Sequence, residues 1–217
     1  MALQRKQLTE IPTDAVVLSE LQATDYQMRI LNNWTPQSDI FGYKYGTALL
    51  GAATMFTGMF INNFFRIKFK LLKYGWISSY LPMCIVPSTL SCLYHQQFVL
   101  RDVVLMKHDQ CPICLQTRAA AFQAFLGCGL PVLLAPVTSL ALVHKYNTYN
   151  MPYVTKEPLK VFKVLQSKFT PIKNTLFWIF LGQALLGSLV TYWETGSVHK
   201  VYSKLYAIEK QMEEEQF

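Results

Sequence analysis

The residues best suited to chemistry form one short cluster, Cys111-Pro112-Ile113-Cys114, with His108 three residues upstream. Two thiols and an imidazole at this spacing are zinc ligand types, and His95 is a candidate fourth ligand. The same thiols could form a disulfide, remain free or cycle as a redox dithiol. Because a second Cys-x-x-Cys pair is missing from the sequence, a disulfide or a pair of free thiols is favoured over zinc binding and redox catalysis.

Other catalytic motifs are missing from the sequence. It contains no Gly-rich phosphate loop, Gly-x-Ser-x-Gly elbow or His-Glu-x-x-His helix. Its four histidines are scattered, which is typical of packed or interfacial side chains rather than of one site. The sequence therefore predicts a protein that is not an enzyme and needs no cofactor.

The composition indicates a membrane protein. Hydrophobic residues make up 52% of the 217 residues and charged residues only 15%, whereas soluble domains average about 25% charged residues. The net charge of +7 could suggest nucleic acid as a partner. However, the basic residues lie between hydrophobic stretches, so membrane lipids are the expected partner and nucleic acid is not.

Four uncharged stretches are long enough to cross a bilayer: residues 45–65, 74–94, 119–143 and 174–193. About twenty helical residues cover roughly 30 Å of hydrocarbon. The predicted fold is therefore an all-α integral membrane bundle of four transmembrane helices. It comprises a polar or amphipathic segment (1–42), a transmembrane domain (43–195) and a charged tail (196–217) that includes Glu213, Glu214 and Glu215.

Two shorter amphipathic helices are predicted outside the spans. Thr13-Asp14 could cap the first, whose apolar positions include Val17, Leu18, Leu21, Met28 and Leu31. The second, residues 157–167, offers apolar side chains to the membrane interface. These are Leu159, Val161, Phe162 and Leu165.

The span interiors favour helix packing over transport. Small residues on the first span allow close helix approach: Gly46, Thr47, Ala48, Gly51, Ala52, Thr54 and Gly58. Prolines predict kinks in the second and third spans: Pro82, Pro87, Pro131 and Pro136. Gln123 and Gln183 are expected to bond across helices. Charged residues are absent from the four predicted spans, which disfavours an ion or small-molecule transporter.

Two basic loops follow the first and third spans. Their members are Arg66, Lys68, Lys70, Lys73, Lys145, Lys156, Lys160, Lys163, Lys168 and Lys173. The positive-inside rule places these loops on the cytoplasmic or matrix side, with both termini opposite. The first twenty residues include three acidic ones and no apolar run. An internal organelle address is therefore expected rather than a secretory signal or presequence.

An ordered set of short motifs resembles the transmembrane protein 126 family across roughly residues 45–205. The motifs are Asn63-Phe64-Phe65-Arg66, Leu81-Pro82-Met83, Pro87, Cys111-x-x-Cys114-x-x-Thr117-Arg118, Pro131-Val132, Ala135-Pro136-Val137, Lys145-Tyr146 and Met151-Pro152. Each motif alone is weak, but their order and separations together are specific.

The resemblance implies a non-enzymatic assembly factor for mitochondrial respiratory complex I. It implies a multi-pass protein of the inner membrane, with its basic loops in the matrix. Its expected partners are membrane-arm subunits of complex I and other assembly factors of the mitochondrial complex I intermediate assembly complex. A permanent accessory subunit of a respiratory complex is the alternative, besides the transporter.

Overall fold

The computed structural model describes residues 17–106, 111–152 and 157–215, and every regular element in these ranges is helical. The six helices are α1 (Glu20–Asn32), α2 (Phe41–Lys68), α3 (Trp76–Val104), α4 (Pro112–Tyr146), α5 (Pro158–Phe169) and α6 (Lys173–Glu215). By length and composition, α2, α3, α4 and α6 are able to cross a membrane. The all-α fold and its four transmembrane helices are confirmed.

The helices extend beyond the uncharged stretches that predicted them. The stretches 74–94 and 119–143 are followed and preceded, respectively, by further helical residues: α3 continues to Val104 and α4 already begins at Pro112. The longest helix, α6, has 43 residues and is about 65 Å long, twice the hydrocarbon thickness. Hydropathy marks where lipid surrounds a helix, whereas the helix ends only where its backbone hydrogen bonding stops.

Proline positions coincide with irregular or interior turns of α3 and α4. Pro82 and Pro87 lie inside α3, and Pro136 lies inside α4. A π-helical turn, Phe125–Gly129, ends just before Pro131. Because proline has no N–H, the wider turn lies where the regular hydrogen-bond ladder loses a donor.

The first helix begins later than predicted because Ser19 forms a capping box with Gln22. The Gln22 N–H donates to Ser19 Oγ, and the Ser19 N–H donates to Gln22 Oε1. Val17 and Leu18 therefore precede α1, which corrects their placement on its apolar face. Thr13 and Asp14 lie outside the described residues. Leu31 is buried.

Apolar side chains cluster at both ends of the bundle. We call the end with the α2–α3 connection and α5 the basic end; its core includes Phe65, Phe69 and Val161. The other, terminal end has a core that includes Leu31 and Val198. There α1 contacts the end of α3, and the Tyr202 hydroxyl of α6 donates to Gln27. Large apolar side chains between the ends face outward, as expected for a lipid-embedded bundle.

Candidate functional site

One glutamine in the bundle interior connects all four membrane-crossing helices. Gln123 of α4 accepts a hydrogen bond from Ser91 Oγ of α3 at 2.6 Å. Its amide nitrogen lies 2.7 Å from Gln183 Oε1 of α6, and within 3.2 Å of Leu50 O and 3.1 Å of Thr54 Oγ1, both of α2. These contacts fix the relative positions of four helices through a single side chain.

Gln183 extends this network along α2. Its amide nitrogen donates to Thr57 Oγ1 at 2.7 Å and to Ala53 O at 3.2 Å. The predicted bonding of Gln123 and Gln183 across helices is confirmed. Helix association in lipid depends on such bonds and on close packing, because lipid tails are as apolar as the side chains they replace. The network satisfies its own donors and leaves few groups to bind a solute.

A buried acid–imidazole pair lies in the same bundle, nearer the terminal end. His95 Nε2 of α3 lies 2.7 Å from Glu194 Oε2 of α6, and the two side chains are 4% and 0% exposed. The last predicted span ends at Trp193 and contains no acidic residue. The structure places the next residue, Glu194, in the bundle interior, because α6 continues through it.

Helical periodicity is the sequence signal that could have indicated a buried Glu194. Gln183, Gly187, Val190, Thr191 and Glu194 recur at spacings that share one helix face, and all five are buried. A Cβ added to Gly46 would lie 2.5 Å from Glu194 Oε1, so the glycine makes room for the carboxyl group. That oxygen is buried and has no hydrogen-bond partner among the described residues. The pair links α3 to α6 beside α2.

The predicted packing residues of α2 divide into inner and outer sets. Gly46, Gly51, Thr54 and Gly58 are buried inside the chain, and Thr47 is half-buried. A Cβ on Gly51 would lie 2.6 Å from Cys92 Sγ, and one on Gly58 would lie 2.5 Å from Met83 O. The glycine positions of this face therefore contact α3 and α6 of the same molecule.

The outer set, Ala48 and Ala52, borders a shallow groove between α2 and α3. Its volume is about 470 Å³. The groove is lined by Ala48, Ala52 and Met55 of α2 and by Thr89 and Leu93 of α3, together with Gly51, Ser88 and Cys92. Ala48 is exposed and Ala52 half-buried. The Ser88 and Thr89 hydroxyls bond to carbonyl groups of their own helix. The groove thus presents a smooth, nearly apolar surface within the membrane zone.

The cysteine pair begins α4. Cys111 is the N-cap, Pro112 is the first helical residue, and Cys111 and Cys114 are exposed free thiols. The backbone N–H groups of Cys114 and Ile113, at the N-terminus of α4, lower the pKa of Cys111. His108 lies outside the described residues. His95 is bonded to Glu194, and no group of three or more His, Cys, Asp or Glu placed to hold a metal occurs among the described residues.

A larger cleft of about 800 Å³ opens at the terminal end beside Pro112. Two ion pairs flank it: Arg118 with Asp102 at 2.5 Å, and Lys204 with Asp39. The hydrogen bond from Lys204 lowers the pKa of Asp39. These pairs attach α6 and the first turns of α4 to neighbouring segments.

Arg66 has a different role from the other predicted loop cations. It lies inside α2 and is only 3% exposed, which corrects its placement in a basic loop. Its guanidinium donates to the carbonyl groups of Leu72 and Tyr74, at 2.7 and 3.0 Å, and to Ser79 Oγ at 2.7 Å. Arg66 thereby holds the turn between α2 and α3.

The remaining described basic residues lie at helix ends, in the turn between α2 and α3, or in α5. Lys68 and Lys145 belong to the last turns of α2 and α4, and Lys173 begins α6. Lys70 and Lys73 lie in the turn between α2 and α3 and are exposed. Lys160, Lys163 and Lys168 belong to α5. Lys156 lies outside the described residues.

Comparisons with known proteins cover nearly the whole chain. The sequence model described as transmembrane protein 126 matches residues 25–211. Transmembrane protein 126 of Drosophila melanogaster is 38% identical over 216 residues, which is 99% of this chain and 96% of the relative. Transmembrane protein 126A of Rattus norvegicus is 29% identical over 54% of this chain and 59% of its own length. The Mus musculus protein of that name is 30% identical over the same shares.

No solved structure matches the chain. The family match extends from α1 into the last part of α6, so it includes all four membrane-crossing helices and the buried polar network. It also includes the Cys111 and Cys114 pair and the basic end. The motifs that suggested this resemblance from sequence lie within the same range. The chain therefore belongs to the transmembrane protein 126 family.

Proposed function

We propose that this chain is a non-enzymatic assembly factor for the membrane arm of respiratory complex I in the mitochondrial inner membrane. It would pack laterally against partly assembled membrane subunits and be released before the complex is complete. The proposal takes its cellular role from the family resemblance. The groove between α2 and α3 provides the surface for this lateral packing.

The groove between α2 and α3 is the observation that carries the proposal. Its floor consists of small residues, and its hydroxyl groups are already bonded within α3. A helix of another membrane protein is able to approach closely there, gaining van der Waals contact with Ala48 and Ala52. The proposed occupant is a transmembrane helix of an unfinished membrane-arm subunit.

The interior of the bundle supports a binding role over transport. Gln123 and Gln183 bond to groups on neighbouring helices, and His95 bonds to Glu194. A carrier needs polar groups that exchange partners with its solute. Here those groups hold the helices together, which keeps the outer groove in a defined shape.

Filling the groove tests the proposal. Ala48→Leu together with Ala52→Leu adds bulk only on the outer face of α2. We expect recovery of membrane-arm intermediates with the tagged chain to fall by about tenfold or more, as for a central interface contact. Gly182→Leu is the control, because a Cβ at Gly182 meets nothing within 4 Å.

Separation of native mitochondrial complexes by size, followed by mass spectrometry of each fraction, provides the readout. The chain should co-migrate with complex I intermediates and be missing from the mature complex. Stoichiometric presence in the mature complex would instead identify a permanent subunit. Solute flux in liposomes containing only this chain would identify a transporter. Undiminished recovery with the filled groove would reject the groove as the binding surface.

A further inference from the structure

Charge is distributed very unevenly along the sequence. The sequence segments 66–75 and 144–173 contain ten Lys or Arg and one Glu, a net charge of +9. The rest of the chain contains ten Lys or Arg and twelve Asp or Glu, a net charge of −2. The excess positive charge of the protein therefore belongs to the segments that form the basic end.

Helix α5 is anchored to this end by one face. Val161 is 4% exposed and belongs to the core cluster there, with Val164, Leu165 and Phe169 packed against it. The Phe169 ring meets the Phe65 ring of α2 edge-on, with the ring centroids 4.9 Å apart. These contacts fix α5 across the end of the bundle and leave its other two flanks uncovered.

The two uncovered flanks of α5 differ in chemistry. At about 100° per residue, Leu159 and Phe162 share one flank, while Lys160 and Lys163 share the adjoining one. Leu159 is 77% exposed and Phe162 is 64% exposed. Both lysines are also exposed, and Lys160 pairs with Glu157 at 2.7 Å. An exposed pair of this kind is weak, so it leaves Lys160 able to bind a stronger anion.

We propose that α5 lies in the membrane interface and binds anionic phospholipid headgroups. Leu159 and Phe162 would enter the acyl-chain boundary, and Lys160 and Lys163 would contact headgroup phosphates. Charge complementarity identifies the occupant, because a docked helix with adjoining apolar and basic flanks fits an anionic bilayer surface. Exposed Lys70, Lys73 and Lys173 belong to the same end and add to the attraction. This inference is independent of the proposed assembly function.

Lipid retention by the purified full-length chain tests the proposal. The chain is equilibrated in micelles that contain equal amounts of phosphatidylglycerol and phosphatidylcholine, and the bound lipids are quantified by mass spectrometry. The wild-type chain should enrich phosphatidylglycerol. Lys160→Gln with Lys163→Gln should lower the enrichment by about fivefold or more, because each lysine near an anionic surface contributes to the attraction.

Two matched variants separate a site on α5 from overall charge. Lys200→Gln with Lys210→Gln removes two exposed lysines from α6, outside the basic end, and should leave the enrichment unchanged. Lys160→Arg with Lys163→Arg keeps the charge and should retain it. Equal enrichment in the wild type and the α5 glutamine variant would overturn the proposal. Equal losses in both glutamine variants would also overturn it, because they would indicate attraction to net charge alone.

Discussion

Gly58 of α2 lies against the main-chain carbonyl oxygen of Met83 in α3, so closely that an added Cβ would be 2.5 Å from that oxygen. Pro87 follows Met83 by four residues in the same helix. Because proline has no N–H, this carbonyl loses its regular helical donor. The two helices thus meet where α2 has no side chain and a carbonyl group of α3 has no helical N–H donor.

Gly58→Ala is expected to destabilise the bundle by about 1–3 kcal/mol, because the added methyl group meets backbone that cannot move aside independently. The measurement is the free energy of unfolding in detergent micelles. Gly182→Ala serves as the control, since its Cβ enters open space. Equal stability of the two variants would contradict the close approach of α2 to α3.

Gln123→Leu removes the side chain that joins the four membrane-crossing helices. Interhelical hydrogen bonds in membrane proteins average about 0.6 kcal/mol, so the loss of several should lower stability by about 1–3 kcal/mol. Gln97→Leu makes the same replacement at an exposed position of α3. The thermal unfolding midpoints of the two variants should differ clearly. Equal midpoints would show that Gln123 does not stabilise the bundle.

Single replacements of His95 or Glu194 by leucine should each be strongly destabilising, by about 3–5 kcal/mol, because each leaves a buried polar partner unpaired. The double replacement should cost less than the sum of the two, which a double-mutant cycle measures. Glu214→Leu, at an exposed position of the same helix, provides the comparison. Additive effects of the two single replacements would show that the pair is not coupled.

Cys111 is predicted to react with iodoacetamide at a lower pH than an ordinary cysteine. Its lowered pKa increases the thiolate fraction at a given pH, and the thiolate is the reactive form. Mass spectrometry of alkylated peptides across a pH series gives the midpoint. Buried Cys84 and Cys128 should remain unmodified in the folded chain. A Cys111 midpoint at or above the usual thiol pKa of about 8.5 would refute this influence of the α4 N-terminus on the thiol.

The sequence predicted the parts of this fold that a lipid environment requires. Four uncharged stretches identified the four crossing helices, and two isolated glutamines in apolar surroundings identified the network that joins them. The amphipathic pattern of residues 157–167 also anticipated α5. It was wrong for Val161, which was expected to face the membrane interface and instead packs into the core at the basic end. Each of these features follows from a strong local contrast between apolar and polar side chains.

The missed features depend on contacts that only the folded chain provides. Charge placed Arg66 in a basic loop and left Glu194 just beyond the last span. Both are nevertheless buried, Glu194 beside His95 of another helix and Arg66 against the turn that follows its own helix. Hydropathy excludes such residues from a span, whereas a specific partner permits them. The inward direction of Gly51 and Gly58 was likewise undetermined, because small-residue spacing does not say which helix will approach.

The outer groove at Ala48 and Ala52 is the surface on which the proposed function depends. A photoreactive amino acid at Ala52 would capture the molecule that occupies this groove in intact mitochondria, and the same probe at Gly182 would report general membrane neighbours. We expect the Ala52 probe to cross-link to a membrane-arm subunit of complex I, within assembly intermediates and not within the mature complex. Cross-links to lipid alone, or identical products from both positions, would contradict the account.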